Sequence, residues 1–205
     1  MFKTTNQHQR YWHERKIDWN QAYASTWNHP HRAYILSALT KWRWNTLLEI
    51  GCASGPNLIA IRKAFPTAIL GGTDINEDAI MAAKGILGIT AVLQAGDAYH
   101  IFHSDSSSDV MLTDACLIYI GDIYRAIEEI KRVGRKHFIF VEFHSTSWVK
   151  RLALKWATGY NAYDYEKVLT NAGFYDIELT KLPDLWDGEP WKTYGYLITA
   201  KIAKV

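Results

Sequence analysis

Few cysteines, few prolines and almost no net charge mark this sequence. Its 205 residues contain two cysteines, Cys52 and Cys116, and neither belongs to a CxxC pair or a Cys/His cluster. That pattern excludes a disulfide framework and argues against a zinc site. The formal net charge is +2, from 23 Lys and Arg against 21 Asp and Glu, with no long basic run. Nucleic acid is therefore not signalled as a partner. The longest apolar runs, such as Phe138 to Phe143, are only strand-length, so no segment reads as a membrane span. Met1 to Arg10 is polar and lacks the apolar core of a signal peptide, which leads to the expectation of a cytoplasmic protein. Composition does not address oligomeric state.

Aromatic residues, by contrast, are plentiful, with nine tryptophans and twelve tyrosines. Trp12, Trp19, Trp27, Trp148, Trp156, Trp186 and Trp191 fall outside the strand-like runs. Packing between helices and sheet accounts for most such residues, and binding rims for some.

The length suits one domain with a sizeable core, spanning 1–205. Residues 1–45 read as a helical cap segment broken at Asn28-His29-Pro30, and 46–205 as the core. Strand-like and helix-like runs then alternate. Strands are expected at Thr46–Ile50, Ala68–Thr73, Thr90–Ala95, Asp109–Thr113 and Lys136–Phe143, then Asp176–Leu182 and Thr193–Ile202. Helices are expected at Asn57–Phe65, Glu77–Lys84 and Asp122–Val133, then around Trp148–Ala157 and Asp164–Asn171. Apolar strands separated by helices predict an α/β fold: a Rossmann-like, doubly wound sheet with helices on both faces. In such sheets a ligand lies beyond the carboxyl ends of the strands, where strand order reverses.

The strongest local signal is Leu47-Leu48-Glu49-Ile50-Gly51-Cys52-Ala53-Ser54-Gly55-Pro56-Asn57. A strand enters a tight glycine turn and a helix follows at once. Pro56 suits the first helical position, where its missing N–H would have no partner. The free N–H groups of that helix end then face whatever binds. The glycines fall as G-x-x-x-G, not as the G-x-G-x-x-G of dinucleotide sites, and the Lys and Ser/Thr of a P-loop are absent.

Glu49-x-Gly51-x-Ala53-x-Gly55 resembles motif I of class I S-adenosylmethionine-dependent methyltransferases, with Ala53 in place of the usual middle glycine. Asp74, 19 residues after Gly55, Gly96-Asp97-Ala98 and Asp109 to Leu117 fall where the later motifs of that family stand. More loosely, Glu129-x-x-Arg132-Val133 and the fifth strand look like the small-molecule "type 11/12" methylases. The resemblance implies a mostly parallel sheet whose last strand is antiparallel. It also implies S-adenosylmethionine as cofactor, held by Glu49, Gly51, Cys52, Ala53, Gly55 and Asn57. By the same likeness Asp74 accepts the ribose hydroxyls, Ile75 packs on the adenine, and Asp97 with Ala98 reads its edge.

Asp114, Tyr119, Glu142 and His144 lie at the ends of the fourth and fifth strands, beside the expected methyl group. His144 is the candidate general base, because imidazole titrates in the useful range, and Asp114 is a candidate for catalysis or for the methionine ammonium. Asp114 with Glu142 would suit Mg²⁺, but Phe143 stands where a third ligand is needed, so no metal is expected. His29 and His31 have no partner cluster and read as surface or packing residues. Trp186 and Trp191, in the segment Pro183 to Lys192, are candidates for closing over the acceptor. The expected activity is methyl transfer to an oxygen or nitrogen of a small-molecule acceptor; the alternative is a cofactor-binding subunit or interaction module without turnover.

Overall fold

The computed structural model describes residues 5–203. Three helices come first: α1 (Thr5–Glu14), α2 (Trp19–Thr26) and α3 (Arg32–Thr40). Then β1 (Thr46–Ile50), α4 (Pro56–Ala64), β2 (Ile69–Asp74), α5 (Glu77–Leu87) and β3 (Ala91–Ala95) form one half of the sheet. The other half is β4 (Ser108–Asp114), α6 (Ile123–Val133), β5 (Gly134–Phe143), α7 (Trp148–Thr158), α8 (Tyr165–Asn171), β6 (Tyr175–Lys181), α9 (Trp191–Tyr194) and β7 (Gly195–Lys201).

The seven strands lie in the order β3-β2-β1-β4-β5-β7-β6. Strands β1 to β5 pair in parallel, and β7 runs antiparallel to both β5 and β6. This is the Rossmann-like arrangement with a reversed last strand. Chain order reverses between β1 and β4, so the crevice for a ligand opens above that pair.

Side-chain alternation decides which face each residue serves. Leu47, Val110, Leu112, Ile139 and Val141 point to one face and meet Ile35 and Leu39 of α3 and Leu58 and Ile61 of α4. Their neighbours Leu48, Met111, Phe138 and Phe140 point to the other and meet Ile127 and Ile130 of α6 and Val168 and Leu169 of α8. With both faces covered, the middle stretches of the central strands are apolar on both sides, which is why they read as near-continuous runs. Each large side chain so buried contributes about 1.5–3 kcal/mol.

Helix starts follow local chemistry. Asp18, Asn76, Asp122, Ser147 and Asp164 cap α2, α5, α6, α7 and α8 by accepting first-turn N–H groups. Each cap stabilises its helix by about 1 kcal/mol. Some boundaries differ from the sequence reading. Asp122 is the cap of α6 rather than its first residue. Strand β5 starts at Gly134, and β7 starts at Gly195 because Trp191–Tyr194 closes a helical turn before it.

Gly72 explains how β2 lies so close to the first crossover helix. A Cβ there would stand 2.8 Å from Cys52 Sγ and from Leu58 Cδ1, inside van der Waals contact. Gly72→Ala is therefore expected to destabilise the fold by about 1–3 kcal/mol through overpacking. Urea unfolding measures it; an unchanged midpoint would show that α4 can retreat from β2 without loss.

Candidate active site

Four strand ends converge above the point of reversal. The chain leaves β1 into a turn that β2 holds in place: Gly51 and Cys52 donate N–H bonds to Thr73 O at 2.7 and 3.0 Å. Ala53 N–H donates to Asp74 Oδ2 at 2.8 Å. Gly51 has φ +77°, and a Cβ on it would lie 2.7 Å from Cys116 Sγ, so both its conformation and the approach of the β4 loop demand glycine. Ala53 is also left-handed, at φ +47°. For an L-residue that costs about 1–2 kcal/mol, which the Asp74 bond helps to offset. Gly55 then precedes α4, with Pro56 at the first helical position.

Beside this turn lies a cavity of about 290 Å³. Gly51, Ala53, Asp74, Ile75, Asp97, Ala98, Asp114 and Tyr119 all line it. Helix α1 closes it from outside with His8, Gln9 and Trp12, none of which stood out in the sequence as a site residue. Gln9 Nε2 donates to Asp97 Oδ2 at 2.9 Å, and Asn76 Nδ2 donates to Trp12 O at 2.7 Å, which pins the helix across the opening. The only sequence signal for this was the aromatic richness of the N-terminal segment.

Glu49, Cys52, Gly55 and Asn57 stand behind the turn rather than on the cavity wall. Asn57 Nδ2 links two acids, donating to Glu49 Oε1 at 2.6 Å and to Asp114 Oδ2 at 2.9 Å. Glu49 is 1% exposed, and burial pushes its carboxyl up to about 8. Glu49 Oε2 and Asn57 Oδ1 have no hydrogen-bond partner. Asp114 is held below the usual carboxylate range despite its burial, chiefly by His31.

His31 and His29 are packing residues, the first buried and the second half-buried. His31 is 5% exposed, and its Nε2 lies 2.7 Å from Asp114 Oδ2. Its Nδ1 lies 2.5 Å from Nδ1 of His29, whose Nε2 faces Leu185 O at 3.1 Å. A carbonyl only accepts, so His29 Nε2 donates to it, and the ionised Asp114 likewise accepts a hydrogen bond from His31 Nε2. One hydrogen between the two Nδ1 atoms links the rings. Burial, with the neighbouring His31 and Arg32, lowers the pKa of His29. His29-Pro30-His31 was visible in the sequence; its partner 83 positions from His31 was not.

Four further candidates lie elsewhere. Glu142 is fully buried and accepts the N–H groups of Cys116, Leu117 and Ile118 at 3.1, 3.0 and 3.1 Å, holding the loop after β4. Among the described residues no group of three His, Cys, Asp or Glu is placed to hold a metal. His144 accepts the Tyr165 N–H at Nδ1, 3.2 Å away, and does not line the cavity. Trp186 and Trp191 stack on each other at 4.2 Å; Trp186 also stacks on His29 at 4.5 Å, and Trp191 meets Phe143 edge-on at 4.6 Å. In this structure the loop braces the histidine pair instead of covering the cavity.

A family model described as a methyltransferase domain matches residues 45–190. No curated protein sequence matches the chain. Among solved structures, a chain from the complex between the Haloferax volcanii Trm112 methyltransferase activator and a methyltransferase superposes with TM-score 0.70. It is 18% identical, over 94% of this chain and 100% of that one. A Methanosarcina mazei SAM-dependent methyltransferase gives TM-score 0.66 at 20% identity, over 82% and 98% of the two chains. Magnesium protoporphyrin IX methyltransferase from Synechocystis, solved with bound SAH, gives 0.64 at 15% identity, over 95% and 92%.

The raised Glu49 carboxyl makes a pH prediction. Its folded pKa of about 8 exceeds the ordinary 4.5, so the folded protein binds the extra proton. That contribution to stability is complete below the ordinary value and is lost as pH climbs towards 8. Glu49→Gln mimics the neutral acid and is expected to flatten that decline by up to about 1.4 kcal/mol per pH unit. Urea unfolding from pH 5 to 8 checks it; an unaltered slope would mean that Glu49 is ionised in the fold.

Proposed function

The chain belongs to the family of methyltransferase domains, and from that premise we propose that it methylates an oxygen or nitrogen of a small molecule, using S-adenosylmethionine. The observation that carries this reading is the convergence of the 51–53 turn, Asp74-Ile75, Asp97-Ala98 and Asp114 on one cavity at the point of strand reversal. The residues present fit the cofactor. Asp74 uses one lone pair of each oxygen on Ala53 and Asn76 N–H groups, which leaves acceptor capacity for a ribose diol. Ile75 and Ala98 offer apolar contact to adenine, and Asp97 an acceptor for its amine. Asp114 on the cavity wall offers a carboxylate to the ammonium of the amino-acid end.

When bound, S-adenosylmethionine supplies an electrophilic methyl group on a sulfonium that departs as a neutral thioether. The chain's task is then chiefly to align the acceptor and to exclude water. Helix α1 serves both ends by roofing the cavity with Trp12 and His8. Where the acceptor atom carries a proton, Asp114, one of three carboxylates on the cavity wall, can receive it, and His31 behind it fixes its orientation. His144 is not used in this reading, because its Nδ1 is bonded to Tyr165 N–H away from the cavity. Glu142, Trp186 and Trp191 act as supports for the surrounding loops.

Titration calorimetry tests the cofactor site. S-adenosylmethionine and S-adenosylhomocysteine are expected to bind and NAD is not. Asp74→Ala is expected to cost roughly 1.5–3 kcal/mol of affinity, since it removes a charged acceptor, and Asp97→Ala less. Unchanged affinity in Asp74→Ala, or binding of NAD in place of the sulfonium cofactor, would overturn the reading. Mass spectrometry of a metabolite panel incubated with protein and cofactor then identifies the acceptor by its gained methyl group.

A further inference from the structure

A second cavity, of about 610 Å³, lies on the outer side of Trp12 and Tyr119. Those two side chains and His8 wall both cavities, so the second space abuts the one assigned to the cofactor. Its far side is built from Tyr11 and Arg15 at the end of α1 and from Lys155, Trp156 and Tyr160 at the end of α7.

Two features define its chemistry. The first is aromatic planes set at steep angles, with Trp12 edge-on to Tyr119 at 4.9 Å and Tyr119 edge-on to Tyr160 at 5.4 Å. Such walls suit a flat, apolar body. The second is charge of one sign. Arg15 and Lys155 line the cavity and no Asp or Glu does. Among the described residues neither cation forms an ion pair with a carboxylate, whereas Arg10 and Lys16, close to Arg15 in the chain, pair with Glu14 and Asp78. Arg15 instead lies over the Trp12 ring at 4.7 Å and donates to Tyr11 OH at 2.8 Å. Those contacts fix the guanidinium at the wall without neutralising it.

We propose that this cavity is the acceptor site and that it takes a planar aromatic acid, whose anionic group is held by Arg15 and Lys155. The inference rests on the methyltransferase reading above. Neither cation lines the cofactor cavity, so the anion is the handle, and the atom that receives the methyl group is turned towards the shared wall at Tyr119 and His8. Burial raises the Tyr119 hydroxyl far above its ordinary pKa, so that hydroxyl stays neutral.

Calorimetry with 2-naphthoate and 2-naphthamide, with and without saturating S-adenosylhomocysteine, tests the proposal. The two probes share shape and differ in charge. Naphthoate is expected to bind roughly tenfold or more tightly than the amide, as charge-assisted bonds require, and the preference is expected to shrink in high salt. Arg15→Ala with Lys155→Ala is expected to abolish the preference while leaving naphthamide and S-adenosylhomocysteine affinity unchanged. Lys155→Arg is expected to retain it. Equal affinities, a tighter amide, no binding of naphthoate, or a preference that survives the double substitution would each overturn the proposal. Failure of S-adenosylhomocysteine to bind the wild-type protein would overturn the cofactor reading instead, and the naphthoate comparison without it would still decide the acceptor site.

Discussion

The Gly51–Gly55 turn stands only because β2 and β4 end beside it. Its N–H groups are directed inward, at Thr73 O and the Asp74 carboxylate, and its Cα surface is closed by Cys116. Two of its residues besides the final glycine have left-handed backbones, and one of these is an alanine. A turn of this kind is not stable in isolation. It is stabilised by bonds to the next strand, which in turn fix where Asp74 and Ile75 stand. The same bonds set the height of α4, whose Leu58 reaches β2 across Gly72. Sheet, first crossover and cavity floor therefore share one geometric condition.

Behind that turn the protein buries more charge than its apolar core would tolerate unpaired. Glu49, Asn57, Asp114, His31 and His29 form a continuous hydrogen-bonded line ending on Leu185 O. Removing one partner from a buried ion pair typically costs about 3–5 kcal/mol, because the other charge is left without compensation. The line is also a mechanical link. It joins β1, α4 and β4 to the start of α3 and to the loop before α9, whose Trp186 stacks on His29. The late loop thus contributes to the site indirectly, by holding the histidine pair that orients Asp114.

The outer wall is a different construction. Helix α1 makes few apolar contacts with the sheet and is tied down by polar bonds, Gln9 to Asp97 and Asn76 to the carbonyls of Trp12 and Arg15. Elements held this way open at lower cost than core helices, as a roof over a ligand must. His8 and Trp12 border both the cavity and the adjoining basic hollow, so this one short helix serves the two spaces together.

What the sequence determined by itself was whatever depends on neighbours along the chain. Apolar runs of strand length and the glycine turn with Pro56 are local signals, and they located β1 to β5 and the crossovers between them. The acidic residues at the strand ends were legible for the same reason, since a strand's end places its last side chain at the rim. Only the tertiary structure decided how the flanking segments are used. His31 meets Asp114, Gln9 meets Asp97 and Trp186 meets His29 across long separations in the chain. Glu142 and His144 likewise look like rim residues in one dimension, yet one is spent on three backbone N–H groups and the other on Tyr165. Periodicity records which face a residue takes, not which distant group will satisfy it. That choice is made by the packing of helices onto a twisted sheet, where each buried donor must find an acceptor within reach.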